Sequence, residues 1–506
     1  MYSISLYKST GNLLLQSTDM RAGMSKPKTV LVTGNFNILH AGHLRLFKFA
    51  KDCGGKFLVG VNSDKMANGG SYVDENLRLE CVQNSSWVDE AFLVDEPIET
   101  VIERIQPDIV VKGKEYELTH NPELTALKKY GGKLLFSSGE IVFSSIDLVQ
   151  KSFSRPTKNT IVFPIEYLER HNITIERLLD LLKSFSKKKI CVIGDLIVDE
   201  YITCQPLGMS QEDPTIVVTP LDSIRFIGGA GIVSAHAAGL GAEVNFLTVA
   251  GEDDAYKFAN NELVKFSVNA EISIDASRPT TLKQRYRSQG KTLLRVSHLH
   301  QSGISLEIQK KFLIKIENII KESDLLVFSD FNYGCLPQSM VELIIAVAKR
   351  HNVMLAADSQ SSSQMGDISR FCEMDLICPT EREARIAVQN REDGLIILTE
   401  ALRKKSSAKN ILLKLGEEGV LIHAGESNNQ SKWLTDRIGA LNQFPKDVSG
   451  AGDSLLITSA LTMASGGSIW EAAILGSIAA GIQVGRIGNI PLTSSELFGE
   501  LSEFRH

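Results

Sequence analysis

Short apolar runs that stop at a cluster of glycine, serine, aspartate or asparagine recur along this chain. They constrain its fold more than any other feature. Thr29-Val30-Leu31-Val32 leads into Thr33-Gly34-Asn35-Phe36-Asn37, and Lys56-Phe57-Leu58-Val59-Gly60-Val61 into Asn62-Ser63-Asp64. Ile109-Val110-Val111 leads into Lys112-Gly113-Lys114-Glu115-Tyr116, while Ala91-Phe92-Leu93-Val94 and Lys133-Leu134-Leu135-Phe136 are further runs of the same kind. An unbroken apolar run is what a strand buried on both faces requires, and parallel sheets bury both faces. Amphipathic stretches lie between these runs: Leu44 to Cys53, Leu77 to Asn84 and Ile98 to Ile105. The alternation predicts a doubly wound parallel sheet of about 130 residues.

The pattern restarts after residue 189 on a larger scale. Ile190-Cys191-Val192-Ile193 ends in Gly194-Asp195, Val244 to Val249 in Gly251-Glu252-Asp253-Asp254, and Leu325-Leu326-Val327-Phe328 in Ser329-Asp330. Val353 to Ala357 ends in Asp358, Leu376-Ile377 in Pro379-Thr380-Glu381-Arg382-Glu383, and Ile411 to Leu415 in Gly416-Glu417-Glu418-Gly419. A chain of 506 residues is too long for one core. The expected division is a disordered leader over 1–24, a first domain over 25–153, a linker over 154–172 and a second domain over 173–506. The linker reading rests on two prolines and little periodicity, and the helix Thr174 to Phe185 opens the second domain. Met24 is an alternative start.

Composition narrows the function classes. A formal charge of −6 gives no sign of a nucleic-acid surface. The seven cysteines are scattered without a Cys-x-x-Cys pair, as in a reduced intracellular enzyme. No apolar run is long enough to span a bilayer, and Leu13-Leu14-Leu15 is too short for the core of a signal peptide.

In the first domain, His40 and His43 fall on a turn between a strand's C-terminal end and a helix start. Such a corner has free backbone N–H groups and a favourable helix dipole, and Gly42 lets the chain approach a phosphate closely. The stretch resembles the His-x-Gly-His signature of the cytidylyltransferase-like nucleotidyltransferases, with Asn37 where that family usually has aspartate. Val61-Asn62-Ser63-Asp64, Val111-Lys112-Gly113 with Tyr116, and the Ser144-Ser145 helix start extend the resemblance over the domain. It implies that His40, His43 and Lys112 neutralise charge on the α-phosphate of ATP. It further implies that Thr33, Gly34, Phe36, Gly42, Asn62, Asp64, Arg78, Ser144 and Ser145 hold the nucleotide.

In the second domain the sharpest feature is Asp447-Val448-Ser449-Gly450-Ala451-Gly452-Asp453, followed by the apolar helical stretch Ser454 to Ala464. A Gly-Ala-Gly turn that opens a helix offers bare N–H groups to a phosphate, and an aspartate there can accept a hydroxyl proton. With the Gly194-Asp195 strand end, the Gly228-Gly229 turn and the Gly416/Gly419 loop in the same order, the stretch resembles the ribokinase-like sugar kinases. Their fold has a doubly wound sheet with a small β lid.

That resemblance implies Asp453 as general base and the amides of Gly450, Ala451 and Gly452 as an anion hole. Ser329, Asp330, Gly416 and Gly419 then lie towards the nucleotide, and Glu383 is tied to magnesium. The substrate side comprises Asp195, Asp199, Gly228, Gly229, a loop with Ser210 and Glu212, and the basic residues Lys283, Arg285 and Arg295. Ile232 and Thr380 replace expected asparagines, and Tyr333 and Gln360 replace expected lysines.

Together the halves resemble the bifunctional ADP-heptose synthases with the domain order reversed. The resemblance implies ATP and Mg2+ as cofactors and sugar phosphates as substrates. It implies no nucleic-acid or membrane partner, a homodimer through the kinase domain, and the bacterial cytoplasm. Three alternatives remain: the same reactions on another sugar phosphate, a kinase domain that only binds ligand, and a choline- or glycerol-phosphate cytidylyltransferase fused to a kinase.

Overall fold

The computed structural model describes residues 28–37, 39, 41–67, 71, 73–113, 116, 121–137, 161–289, 291–361, 366–425, 434–442 and 444–504. The expected leader, His40, Ser144, Ser145 and the helix expected over 146–153 lie outside them.

Five strands form the first sheet: β1 (Thr29–Gly34), β2 (Lys56–Asn62), β3 (Glu90–Val94), β4 (Ile109–Gly113) and β5 (Lys133–Ser137). Their spatial order is β3-β2-β1-β4-β5, and every pairing is parallel. The chain reverses its direction of winding between β1 and β4, so a crevice opens at their C-terminal ends, where such sheets bind ligands. Val30, Val32, Phe57, Val59, Val61 and Val111 are buried on this sheet, as two-sided burial of apolar runs requires.

The second sheet has nine strands: β6 (Lys189–Gly194), β9 (Glu243–Ala250), β10 (Asn269–Ile274), β13 (Leu325–Asp330), β14 (Met354–Ser359), β15 (Leu376–Ile377), β16 (Asn410–Lys414), β17 (Val420–Ala424) and β18 (Leu434–Ile438). The order is β10-β9-β6-β13-β14-β15-β16-β17-β18, parallel from β10 to β16, with antiparallel β17 and β18 closing one edge. A four-stranded lid is built from β7 (Leu196–Met209), β8 (Ile216–Gly229), β11 (Thr281–Ser288) and β12 (Lys291–His298), in the order β12-β11-β7-β8. The segment expected as β-rich over Thr215 to Thr219 is the start of the long lid strand β8.

Ile161 to His171, expected as linker, instead pack into the core of the larger sheet. Ile161 bridges to Asn442, and Ile165–Arg170 is a short helix with Tyr167 and Leu168 buried. The Tyr167 hydroxyl donates to the Trp470 carbonyl at 2.9 Å, Phe163 stacks on Phe504, and Arg170 and His171 both reach the Asp436 carboxylate. The physical reason is that apolar residues in a short turn can be anchored by distant strands without any helical period of their own.

The two parallel sheets meet through the helix Ala41–Asp52, which packs on the helix Leu395–Ser406. Lys48 Nζ lies 2.7 Å from Glu418, Arg437 pairs with the same carboxylate, and Gly394 sits so close to the Asp52 backbone that a Cβ would collide with it. Burial in this joint pushes the Asp52 carboxyl up to about 6, against the lowering influence of Arg437 and Lys48.

Candidate active sites

The crevice of the small sheet is flanked by the end of β1 and the end of β4. Phe36 follows β1 with a left-handed backbone, φ +47°, and is buried. Its ring packs edge-on against His43 at 5.1 Å and against Phe47 at 5.3 Å. Phe36 therefore orients the His43 imidazole from below and offers no side-chain face to a nucleotide. Gly42 lies in the first turn of the helix that His43 belongs to, with Thr33 and Gly34 at the strand end.

Lys112 reaches the crevice from β4. Its ammonium lies 2.8 Å from the buried Glu123 carboxylate and over the Tyr116 ring. Arg78, expected to hold the nucleotide, is fully buried and donates to the carbonyls of Val73, Asn35 and Asn62 and to Asp64. Those contacts make it the pin that joins the ends of β1 and β2. The hydrogen bond from Arg78 holds the Asp64 carboxyl below its usual range, and Asn62 donates to the Asn35 side chain at 2.8 Å.

The site of the larger sheet is a cleft of about 430 Å³ between the nine strands and the lid. Its floor is the N-terminus of the helix Ala451–Ala464. Gly450 stands ahead of that helix at φ +77°, a conformation glycine adopts without strain, and no side chain caps the turn. The Ala451 N–H donates back to the Val448 carbonyl at 3.4 Å, and the positive end of the helix dipole lies at the cleft.

Asp453 is the third helical residue. It is buried, and Gln360 Nε2 donates to its Oδ1 at 3.1 Å. Burial, reinforced by the nearby Asp358 carboxylate, pushes Asp453 up to about 7. A carboxylate with that affinity for protons is matched to general-base work near neutral pH.

The lid supplies the opposite wall. β11 runs parallel to β7 with Lys283 opposite Asp199 and Arg285 opposite Tyr201, so both cations project from one face. Both line the cleft, as do Asp199, Gly229, Phe331 and Asn489. Arg285 donates to Ser449 Oγ at 2.6 Å and lies 3.3 Å from Asp199. The Lys283 ammonium sits 4.9 Å above the Phe331 ring and 5.1 Å above that of Tyr333. Gly228 is packed against the Asp199 carboxylate.

At the nucleotide end the lining comprises Gly416, Gly419, Thr380 and Glu383. The Glu383 carboxylate accepts the amides of Ser361 at 2.9 Å and Thr380 at 2.7 Å, capping its own helix. Among the described residues no three His, Cys, Asp or Glu converge as a metal cage. A magnesium ion carried by nucleotide phosphates needs only one or two protein carboxylates and water, and the spare lone pairs of Glu383 fit that requirement.

Several expected site residues stand elsewhere. Asp195 is buried and accepts the amides of Phe331, Tyr333 and Cys335, so its carboxylate is committed to holding the turn after β13. Ser329 is buried, its carbonyl accepting the Asp195 amide. Asp330 is bound by Arg370 and Ser359. Ser210 and Glu212 sit at the tip of the β7–β8 hairpin, where Ser210 Oγ accepts the Glu212 amide. Arg295 is exposed on β12 opposite Arg285. None of these six lines the cleft. Conversely Gln360, Asn489 and Lys414 line it, although no motif marks them as site residues. Gln360 stands in the place of an expected lysine, while Lys414 lies inside an apolar run that reads as a buried strand.

Residues 187–495 match the family profile of pfkB family carbohydrate kinases, and residues 31–173 that of the cytidylyltransferase-like family. The bifunctional protein HldE of Desulfatibacillum aliphaticivorans is 30% identical over 329 residues, 63% of this chain and 64% of that protein. Its namesake from Caulobacter vibrioides is 30% identical over 64% of this chain and 65% of its own length. The chain thus spans somewhat under two thirds of these curated relatives. The crystal structure of phosphofructokinase-2 from Escherichia coli with substrates and products superposes with a TM-score of 0.52 at 14% identity, over 63% of this chain and all of that one. That likeness concerns the fold alone.

Proposed function

Since this chain belongs to the pfkB family of carbohydrate kinases, we propose that it joins a sugar kinase to a nucleotidyltransferase and serves nucleotide-sugar synthesis. The kinase phosphorylates heptose 7-phosphate at the anomeric hydroxyl with ATP. The transferase moves AMP from ATP to a heptose 1-phosphate, giving ADP-heptose and pyrophosphate. The observation that carries the reading is the buried Asp453 at the head of an uncapped helix, facing Lys283 and Arg285 across one cleft. The 30% identity with proteins named bifunctional supports the pairing of activities.

In the kinase the sugar phosphate lies under Lys283 and Arg285, and Asp453 takes the hydroxyl proton as oxygen attacks the γ-phosphorus. The amides of Gly450, Ala451 and Gly452 receive the phosphoryl oxygens. Glu383 would hold a magnesium ion, which would supply positive charge beside the nucleotide phosphates. In the transferase, His40, His43 and Lys112 oppose the charge on the α-phosphate, and catalysis is positioning and charge stabilisation. The order of the two modules is the reverse of the usual fused enzyme. The apolar lid residues Leu207, Met209, Ile216, Leu221 and Ile224, all exposed, support a homodimer through the kinase part, and the likeness to the HldE proteins supports the bacterial cytoplasm as its location.

A shifted sugar phosphate is the second reading, favoured by the aromatic pair Phe331 and Tyr333 beneath Lys283, where a donor-rich pocket was expected. Purified protein with ATP and a panel of sugar phosphates tests both. ADP release that is greatest with heptose 7-phosphate supports the first. Greatest release with another phosphosugar supports the second. Release with none refutes the kinase.

A further inference from the structure

Lys414 stands at the last position of β16. Its side chain is nearly buried, and its Nζ lies 2.7 Å from Asp358 Oδ2. The stem runs across the Cα of Gly452: a Cβ built on that glycine would meet Lys414 Nζ at 3.2 Å and Cδ at 3.4 Å. The ammonium is therefore beside the turn whose amides face the cleft, and Lys414 itself lines that cleft with Gly452, Asp453 and Glu383. Burial pulls its proton affinity down, but the Asp358 and Glu383 carboxylates outweigh burial and raise it above the usual lysine range. The cation persists at every physiological pH.

We propose that Lys414, its stem packed against Gly452, binds the oxygens of the phosphoryl group in transit as the charged partner of the Gly450–Gly452 amides. This rests on the kinase reading above. An ammonium has three donors, and Asp358 occupies one of them. A lysine needed only to neutralise Asp358 has no reason to border the cleft. Positions 333 and 360, on the neighbouring turns, carry no charge, and Lys283 is on the opposite wall. Lys414 thus lines the cleft beside Gly452, while Arg285 reaches the same turn from the lid through Ser449.

In the step itself the sugar hydroxyl oxygen bonds to the γ-phosphorus and its proton passes to Asp453. The bond from that phosphorus to the bridging oxygen of ADP breaks, and ADP leaves with the electron pair. Charge that builds on the equatorial oxygens is met by the amides and Lys414.

The test measures ADP formation by the full-length protein with ATP and its best phosphosugar. Lys414→Met is expected to lower kcat about a hundredfold, with the sugar KM nearly unchanged, and Lys414→Arg to restore part of the rate. The acid limb of the pH profile is expected to move upward, because Lys414 holds Asp453 down. Lys414→Met with Asp358→Asn removes both charges of the pair and controls for a stranded carboxylate. That double variant stays slow if Lys414 serves the phosphoryl group. Its recovery to the wild-type rate would assign Lys414 to structure alone and overturn the proposal, as would unimpaired Lys414→Met. A wild type that forms no ADP with any phosphosugar removes the kinase reading and this proposal together, so the two failures are told apart.

Discussion

Asp453→Asn separates stability from chemistry in a way that follows from burial. The folded-state carboxyl is pushed from 3.8 up to about 7, so between those values the folded chain holds a proton that the unfolded chain releases. Stability from this group is complete below the unfolded value and is lost as pH rises through about 7. At pH 5.5 it is 1.5 units below the folded value, worth about 2 kcal/mol at 1.36 kcal/mol per unit, and at pH 8.5 it is about zero. The amide in Asp453→Asn does not titrate. The wild type should therefore lose about 2 kcal/mol relative to the variant between these pH values, or about 2 °C of Tm for a single transition of 506 residues.

Scanning calorimetry of both full-length proteins at pH 5.5, 7 and 8.5 measures this. Constant differences such as altered hydrogen bonding with Gln360 cancel in the comparison. A Tm difference that stays flat to within a degree, or moves the other way, would refute the argument that burial controls Asp453. Activity moves oppositely. Phosphoryl transfer in the wild type should rise with pH and level off above about 7. In Asp453→Asn it should lose this pH dependence and lie roughly three orders of magnitude below the wild-type plateau.

Other outcomes are equally checkable. His43→Ala should cut nucleotidyl transfer about a hundredfold, and ATP-dependent pyrophosphate release that survives intact would remove the histidine from the site. A fragment of residues 161–506 should fold, whereas 172–506 should not. The shorter piece lacks Ile161, Phe163, Tyr167 and Leu168, each buried side chain worth about 1.5–3 kcal/mol, and equal melting temperatures for the two pieces would contradict this. Gly394→Ala forces a Cβ against the Asp52 backbone and should loosen the joint between the sheets. Expected is a split of one calorimetric transition into two, and an unchanged single transition counts against a rigid joint.

The parallel sheets were legible because their strands are unbroken apolar runs, and β1, β2, β6, β13 and β16 begin within a residue of where the runs do. The Gly-Ala-Gly-Asp turn was legible because few folds need two glycines and an aspartate at a helix start. What escaped depends on contacts remote in sequence. Nothing local in Lys414 reveals that Gly452 lies under its stem. The commitment of Asp195 to three amides, and of Arg78 to three carbonyls, appears only once turns from distant strands are brought together. A polar residue at a strand end reads as a ligand group whether it faces the crevice or ties down the loop beside it, and only the fold separates the two. Residues 161–171 failed as linker for the same reason: their partners are Asn442, Asp436, Trp470 and Phe504.

Those partners also dictate an order of events at the ribosome. Tyr167 and Trp470 are 303 positions apart, so the larger core receives its first piece early and waits for nearly the whole chain before it closes. The small sheet, whose strands all lie before residue 138, completes its pairings while the rest is still being made. Contacts so remote in sequence carry a high closure entropy and form late. During that interval Phe163, Tyr167 and Leu168 hang apolar and uncovered behind a finished neighbour. The kinase half should accordingly depend more on chaperones than the transferase half does.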